Sequence, residues 1–203
     1  MNKKIGTVAA KVNIIAVAGF ALSMLLGSNF LGYITSIFIA LSFVPMMCTL
    51  CFFAGQERKA AGYVSVAFAT MYATIILLVY FAQCTTVQMG GLSKQASDLL
   101  DYQSYGLFFH YDLMGYGLMA LATFFAGLTI DVKNRADRWL KLLLMIHGIF
   151  SITCFVMPVL GVFSADMPGG YWIGVALLEF WCIYFLPVGG IDTFVYCKQE
   201  GLN

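Results

Sequence analysis

One stretch of the sequence limits the possible folds more than any other: from Val12 to Gln56 the chain carries no charged side chain. Residues 27–29, Gly-Ser-Asn, interrupt this stretch. Each of its two parts, with the flanking residues, is long enough for the roughly 20 residues that an α-helix needs to cross the hydrocarbon core of a bilayer. The stretch therefore predicts two membrane-spanning helices joined by a tight turn.

The rest of the chain continues this pattern. Of its 203 residues, 61% are hydrophobic and only 10% are charged, whereas charged residues make up about a quarter of an ordinary soluble domain. The apolar segments predict six spans, near residues 7–26, 30–54, 60–82, 106–130, 139–163 and 171–195. The predicted fold class is all-α, with residues 1–203 forming a single six-helix transmembrane domain.

The basic residues predict the orientation of this domain. If the N-terminus is cytoplasmic, ten of the 11 Lys and Arg residues fall on the cytoplasmic side and only Lys94 falls outside. Such an asymmetry is typical of multi-pass membrane proteins. The sequence thus predicts a plasma-membrane protein of a bacterial inner membrane with both termini in the cytoplasm. Because the basic residues are dispersed, nucleic acid is not an expected partner.

The longest predicted outer loop covers residues 83–105. Within it, apolar residues recur at helical spacing and charged residues lie opposite them, which predicts a short amphipathic helix over 92–104 on the outer membrane interface. The alternative is a partly ordered polar loop.

Two acids lie inside predicted spans, where a charged group costs about 2.5–3.5 kcal/mol on insertion scales. From the helical rise, Glu179 lies ~12 Å and Asp112 ~9 Å below the outer end of their spans. Asp112 shares one helix face with Gly115 and Tyr116, and that face continues to Met119 and Thr123. The sequence predicts that Asp112 and Glu179 meet in one interior pocket, open to the outer side.

The two histidines complete the set of candidate ligand-binding residues: Asp112, Glu179, Tyr116, His110 and His147. His110 and His147 should differ in height by about 10 Å in a core about 30 Å thick, so they do not suit one haem. His110 and Asp112 are two residues apart and point to nearly opposite sides of a helix, and of the two Asp112 is expected to face the interior. The sequence predicts no metal site and no cofactor.

Prolines and small polar residues mark further positions within the spans. Pro45, Pro158 and Pro187 each remove a backbone hydrogen bond, and helices interrupted near a buried acid would suit a moving gate. Polar side chains also recur at helical spacing, as expected for interhelical hydrogen bonds. One such stripe on the third span consists of Tyr63, Thr70 and Thr74.

Three segments carry a resemblance to a known family: "KKIGTVAAKVNIIAVAGFALSMLLG" at the start, "AGYVSVAF" in the third span and "LLEFWCIYFLPVGG" in the last. In these segments and in its layout the chain resembles an uncharacterised bacterial family of six-span integral membrane proteins, a domain of unknown function. The resemblance implies the six-span fold and brings no known activity.

Three functions remain open on this sequence. The leading hypothesis is the binding or transport of a small or amphiphilic solute at the pocket of Asp112 and Glu179. The second is an intramembrane enzyme that acts on lipid, with His147 or His110 as the base beside an acid or a metal. The third is an accessory or scaffold subunit, which would form a homo-oligomer or join a membrane partner.

Overall fold

The computed structural model describes the backbone of residues 1–163 and 170–198 and the side chains of residues 1–163 and 172–193. The secondary structure in these ranges is helical throughout. The α-helices are α1 (Asn2–Leu25), α2 (Asn29–Phe53), α3 (Lys59–Ala82), α4 (Lys94–Leu100), α5 (Leu107–Thr129), α6 (Arg135–His147), α7 (Phe150–Val159) and α8 (Gly170–Lys198). A π-helical turn, Gln83–Val87, extends α3.

Six segments of this structure are long and apolar enough to cross a membrane. They are α1, α2, α3 with its extension, α5, the pair α6–α7, and α8. The prediction of six apolar spanning helices is confirmed, and the fold is compatible with a multi-pass membrane protein. The end of the bundle with the α1–α2 turn and the loop 88–106 is called the loop face below. The end with the N-terminus and the loop 130–134 is called the terminal face.

The α1–α2 turn shows why the long uncharged stretch is divided where it is. Gly27 has a φ of +66°, a conformation that glycine adopts without the steric cost of a Cβ. The Ser28 N–H donates to the Ser23 carbonyl at 2.9 Å, which closes the end of α1 as in a Schellman motif. Ser28 then accepts a hydrogen bond from the Leu31 N–H and caps α2.

The spanning helices form a closed ring. Helix α1 packs on α2, α2 on α3, α3 on α5, α5 on α6 and α7, and α8 contacts both α6 and α1. The aromatic residues Phe43, Tyr72, Trp181 and Phe185 lie in the buried core of this ring. Helix α5 is the most enclosed span, with 61% of its apolar window buried against 17% for α6–α7. Side chains on α5 therefore have the best access to the interior.

The terminal face is held by interactions that suit a hydrated boundary. An ion pair joins Arg58 to Asp131 and links the α2–α3 connection to the α5–α6 loop. Lys59 donates to the carbonyl oxygens of Cys51 and Phe52 at the end of α2, where a cation complements the helix dipole. These contacts place basic groups beside helix ends.

The interruptions differ from those expected at the prolines. Helices α2 and α8 continue through Pro45 and Pro187, and Pro158 lies in the last turn of α7. The fifth span is broken instead at Gly148 and Ile149, where N–H groups bond three residues back, as from Gly148 to Met145. The break follows His147 directly, so the change in backbone hydrogen bonding occurs beside a buried polar side chain.

The α2–α3 contact depends on the absence of a side chain at Gly62. A Cβ built there would lie 2.6 Å from Cys51 Sγ and 3.1 Å from Cys51 Cα, which is closer than packed atoms approach. We expect Gly62→Ala to separate the two helices and to destabilise the fold by about 1–3 kcal/mol. The measurement is thermal unfolding of the purified protein in nanodiscs.

Gly174→Ala provides the matched control, because a Cβ at that helical position meets no atom within 4 Å. There the change should leave the melting temperature unchanged or raise it, since alanine is the better helix former. Equal destabilisation by both substitutions would contradict the packing described for α2 and α3.

Candidate functional site

The carboxyl group of Asp112 is the centre of a polar cluster near the loop face. Asp112 is only 2% exposed and lies near the start of α5. It shares its buried face with Gly115, Met119 and Thr123, as the sequence predicted. His110 lies half-buried at the edge of the bundle, and its Nδ1 is 2.7 Å from the Gly106 carbonyl oxygen. Asp112, rather than His110, therefore faces the interior.

Tyrosine side chains from different parts of the chain surround this carboxyl. The hydroxyl groups of Tyr80 and Tyr102 lie near this carboxyl and interact with it electrostatically. The rings of Tyr33, Tyr80 and Tyr102 contact one another, with centroids 5.5–6.2 Å apart. Tyr116, predicted from the sequence, lies deeper and contacts Tyr72 at 5.8 Å. We call this set, Tyr33, Tyr72, Tyr80, Tyr102, Asp112 and Tyr116, the tyrosine cluster.

Tyr102 lies in the loop outside the spans and is held over the cluster by a glutamine of the extended α3. The buried Gln83 side chain donates to the Leu100 carbonyl at 2.7 Å and accepts from the Tyr102 N–H at 3.0 Å. Burial, followed by the nearby Asp112 charge, raises the pKa of the Tyr102 hydroxyl well above its ordinary value. Tyr102 therefore keeps its proton and remains a donor.

Several polar atoms in and beside this cluster have no hydrogen-bond partner within the described part of the chain. They are Ser36 Oγ, Tyr72 OH, Asp112 Oδ1 and Tyr116 OH. The Ser36 and Tyr116 hydroxyl groups face each other without forming a well-aligned hydrogen bond. A buried polar atom without a partner costs about 1–3 kcal/mol. Four such atoms in one neighbourhood leave this part of the interior with incomplete hydrogen bonding among the described residues.

Glu179 does not join this cluster. One of its carboxyl oxygens is enclosed without a partner, but in the described residues no contact or electrostatic interaction connects it to Asp112. Trp181, which contacts Tyr116 at 5.7 Å, lies two positions away on α8. Two positions correspond to a rotation of roughly 200° about the helix axis. Glu179 therefore points away from the side of α8 that faces the cluster.

His147 belongs to a second polar group with complete hydrogen bonding. Trp181 Nε1–H donates to His147 Nε2 at 2.9 Å, so the imidazole is neutral and carries its proton on Nδ1. That proton points to Thr123 Oγ1 at 2.8 Å, and the Thr123 hydroxyl in turn donates to the Ala120 carbonyl. The network ties α5, α6 and α8 together and leaves His147 no free nitrogen for catalysis.

Asp192 is a further acid of the last span, which no pattern in the sequence marked as part of a site. The structure buries it completely, and neither of its carboxyl oxygens has a partner within the described ranges. The stripe of Tyr63, Thr70 and Thr74 does not form the expected interhelical hydrogen bonds. These side chains are exposed, and the two threonine hydroxyl groups donate to carbonyl oxygens within α3. The buried side of α3 carries Ser65, Tyr72 and Tyr80 instead.

The predicted helix of the outer loop is present in shortened form. Helix α4 covers Lys94–Leu100, with Ser93 as its N-cap, and a 3-10 turn follows at Tyr102–Ser104. Its position on a membrane interface stays a prediction.

Comparison with known proteins adds no name to this arrangement. No protein-family model, curated protein or solved structure matches the chain. Within the described residues, no group of three His, Cys, Asp or Glu side chains could hold a metal ion. The tyrosine cluster is the candidate site, because several of its polar atoms have no hydrogen-bond partner among the described residues. The His147 network is not, because its nitrogens are engaged in hydrogen bonds.

Hydrogen–deuterium exchange can test whether the two hydrogen bonds of the Gln83 side chain hold residues 100–102 against the bundle. Gln83→Met removes the acceptor for the Tyr102 N–H and the donor to Leu100, so we expect residues 100–106 to exchange at least tenfold faster. Gln88→Met makes the same chemical change at an exposed position and should leave that exchange unchanged. Slow exchange in both variants would show that Gln83 does not hold the loop.

The structural role of His147 leads to a second prediction. His147→Phe keeps a ring of similar shape but leaves the buried Trp181 N–H without its acceptor, which should cost about 1–3 kcal/mol of stability. Thermal unfolding in nanodiscs measures the loss, with His110→Phe as the half-buried comparison that should cost less. A fully stable His147→Phe variant would contradict the proposed network.

Proposed function

We propose that this chain is a multi-pass membrane protein that binds or transports a small or amphiphilic solute at the tyrosine cluster. The observation that carries the proposal is the enclosed Asp112 carboxyl group, whose Oδ1 has no partner among the described residues while three nearby hydroxyl groups are also unpaired. Polar atoms in that state favour a ligand that completes their hydrogen bonds.

The loop face is the proposed entrance. Asp112 lies within two turns of that end of α5, and among the described residues the loop contributes Tyr102 beside it. The side chain of Gln83, the Gln103–Tyr33 hydrogen bond and the ring contacts of Tyr102 hold this segment. Breaking these contacts would open it without unfolding a spanning helix. Entry from this face requires movement of Tyr102, and closure returns its hydroxyl group to Asp112.

We place the loop face outside a bacterial plasma membrane and both termini in the cytoplasm. An even number of crossing helices supports termini on one side, and the ten basic residues on that side support a cytoplasmic location. The resemblance to an uncharacterised six-span family agrees with this proposal and stays a prediction.

The enzyme hypothesis has less support than solute binding. A general base needs a free nitrogen or oxygen within reach of its substrate, whereas both nitrogens of His147 are engaged in hydrogen bonds. His110 has one nitrogen without a hydrogen-bond partner among the described residues, but it lies on the other side of α5 from Asp112. No cluster of nucleophile, base and acid emerges from the described contacts.

A thermal-shift screen in nanodiscs tests solute binding. Solutes of cationic, neutral and anionic classes are added to wild-type protein, and unfolding is followed by tryptophan fluorescence. A ligand at about 100 times its Kd stabilises by about 2.7 kcal/mol, which corresponds to a rise in melting temperature of roughly 5–10 °C for a chain of this size.

The variants Asp112→Asn and Glu179→Gln assign the shift to a site. The first should abolish it, because the carboxylate charge and an acceptor oxygen are removed with little change of shape. The second should retain it, because Glu179 points away from the cluster. The proposal fails if no class of solute stabilises the protein or if the shift survives Asp112→Asn.

A further inference from the structure

We propose that the ligand of the tyrosine cluster is a small organic ammonium ion. This assignment rests on the proposed function and adds the chemical class of the solute. In the complex, an ammonium N–H group would donate to Asp112 Oδ1, further N–H groups would donate to the nearby hydroxyl oxygens, and tyrosine rings would enclose the apolar part.

The charge of the Asp112 site favours a cationic ligand. The groups that interact with the Asp112 carboxyl are neutral tyrosine hydroxyls, and the one ion pair between described side chains, Arg58 with Asp131, lies at the terminal face. The described part of the chain thus provides a carboxyl group in an enclosed site, and no described basic side chain interacts with it. A positively charged ligand compensates a carboxylate there, whereas an anion would be repelled.

The unpaired oxygen atoms of the site favour a ligand with several N–H donors. A proton alone could neutralise Asp112, but it would leave Ser36 Oγ, Tyr72 OH and Tyr116 OH without partners. Hydroxyl oxygens can accept as well as donate, and an alkylammonium group carries three N–H donors and no acceptor. The ligand chemistry therefore matches a site with one carboxylate oxygen and several hydroxyl oxygens.

The aromatic rings of the tyrosine cluster favour an organic cation. Tyr33, Tyr80 and Tyr102 contact one another beside the carboxyl, and Tyr116 lies between Tyr72 and Trp181 with ring centroids 5.8 and 5.7 Å away. The faces of such rings attract cations within about 6 Å. They also accept methylene groups, so they favour an organic cation over a sodium ion, which needs more oxygen ligands in place of its water shell.

The test compares probes that share one tail. n-Butylammonium, 1-butanol and pentanoate each carry an n-butyl tail and differ only in the head group, and sodium chloride provides an inorganic cation at equal ionic strength. We expect n-butylammonium alone to raise the melting temperature of the nanodisc-embedded protein, with at least a tenfold loss of affinity in Asp112→Asn and no loss in Glu179→Gln.

Tyr116→Phe keeps the ring and removes one hydroxyl group, so it tests the assignment even if Asp112→Asn does not fold. This variant should bind n-butylammonium at least threefold more weakly. An Asp112-dependent shift with 1-butanol, pentanoate or sodium instead of n-butylammonium would overturn the ammonium assignment and leave solute binding standing. Stabilisation by none of the probes, or by n-butylammonium equally in all variants, would overturn the assignment, and the wider solute screen then decides separately whether the cluster binds any solute.

Discussion

The high cost of a polar group without a hydrogen-bond partner in apolar surroundings governs this structure. Every backbone group within a span must be paired inside the protein, and only a helix does this within one segment. The chain meets this requirement with long helices and with a hydrogen-bonded turn at Gly27. At the break at Gly148, backbone hydrogen bonds to the carbonyl three residues back replace the regular bonds to the carbonyl four residues back. Exceptions to the rule are therefore informative.

The two polar groups of the interior show both sides of this constraint. In the His147 network each donor has an acceptor, from Trp181 through the imidazole to Thr123 and the backbone. Such a network positions three helices and needs nothing from outside the protein. In the tyrosine cluster, Asp112 Oδ1 and three hydroxyl groups are left unpaired. The His147 network therefore contributes to the stability of the bundle, whereas the tyrosine cluster is the better candidate for a functional site.

The sequence predicted the helices well because their cause is local: a long apolar run needs no knowledge of its neighbours. It predicted the buried face of α5 for a similar reason, since Asp112, Gly115 and Met119 repeat at helical spacing. The rotation of α8 could not be predicted, because it depends on the burial of Trp181 and Phe185 against other helices. That rotation turns Glu179 away from Asp112 despite their similar predicted height, and it buries Asp192.

The part of the site contributed by the loop was equally beyond the sequence. Tyr102 lies outside every apolar span and has no periodic pattern that connects it to Asp112, yet its hydroxyl group faces that carboxyl. The connection depends on Gln83, which pairs with the backbone of residues 100 and 102 after a π-helical turn has extended α3. A buried glutamine that satisfies two loop backbone groups thus joins the loop to the bundle. Because the loop contributes Tyr102 and its hydroxyl group interacts with Asp112, a solute that displaced Tyr102 would also remove a polar neighbour of that carboxyl, which links entry to the chemistry of the site.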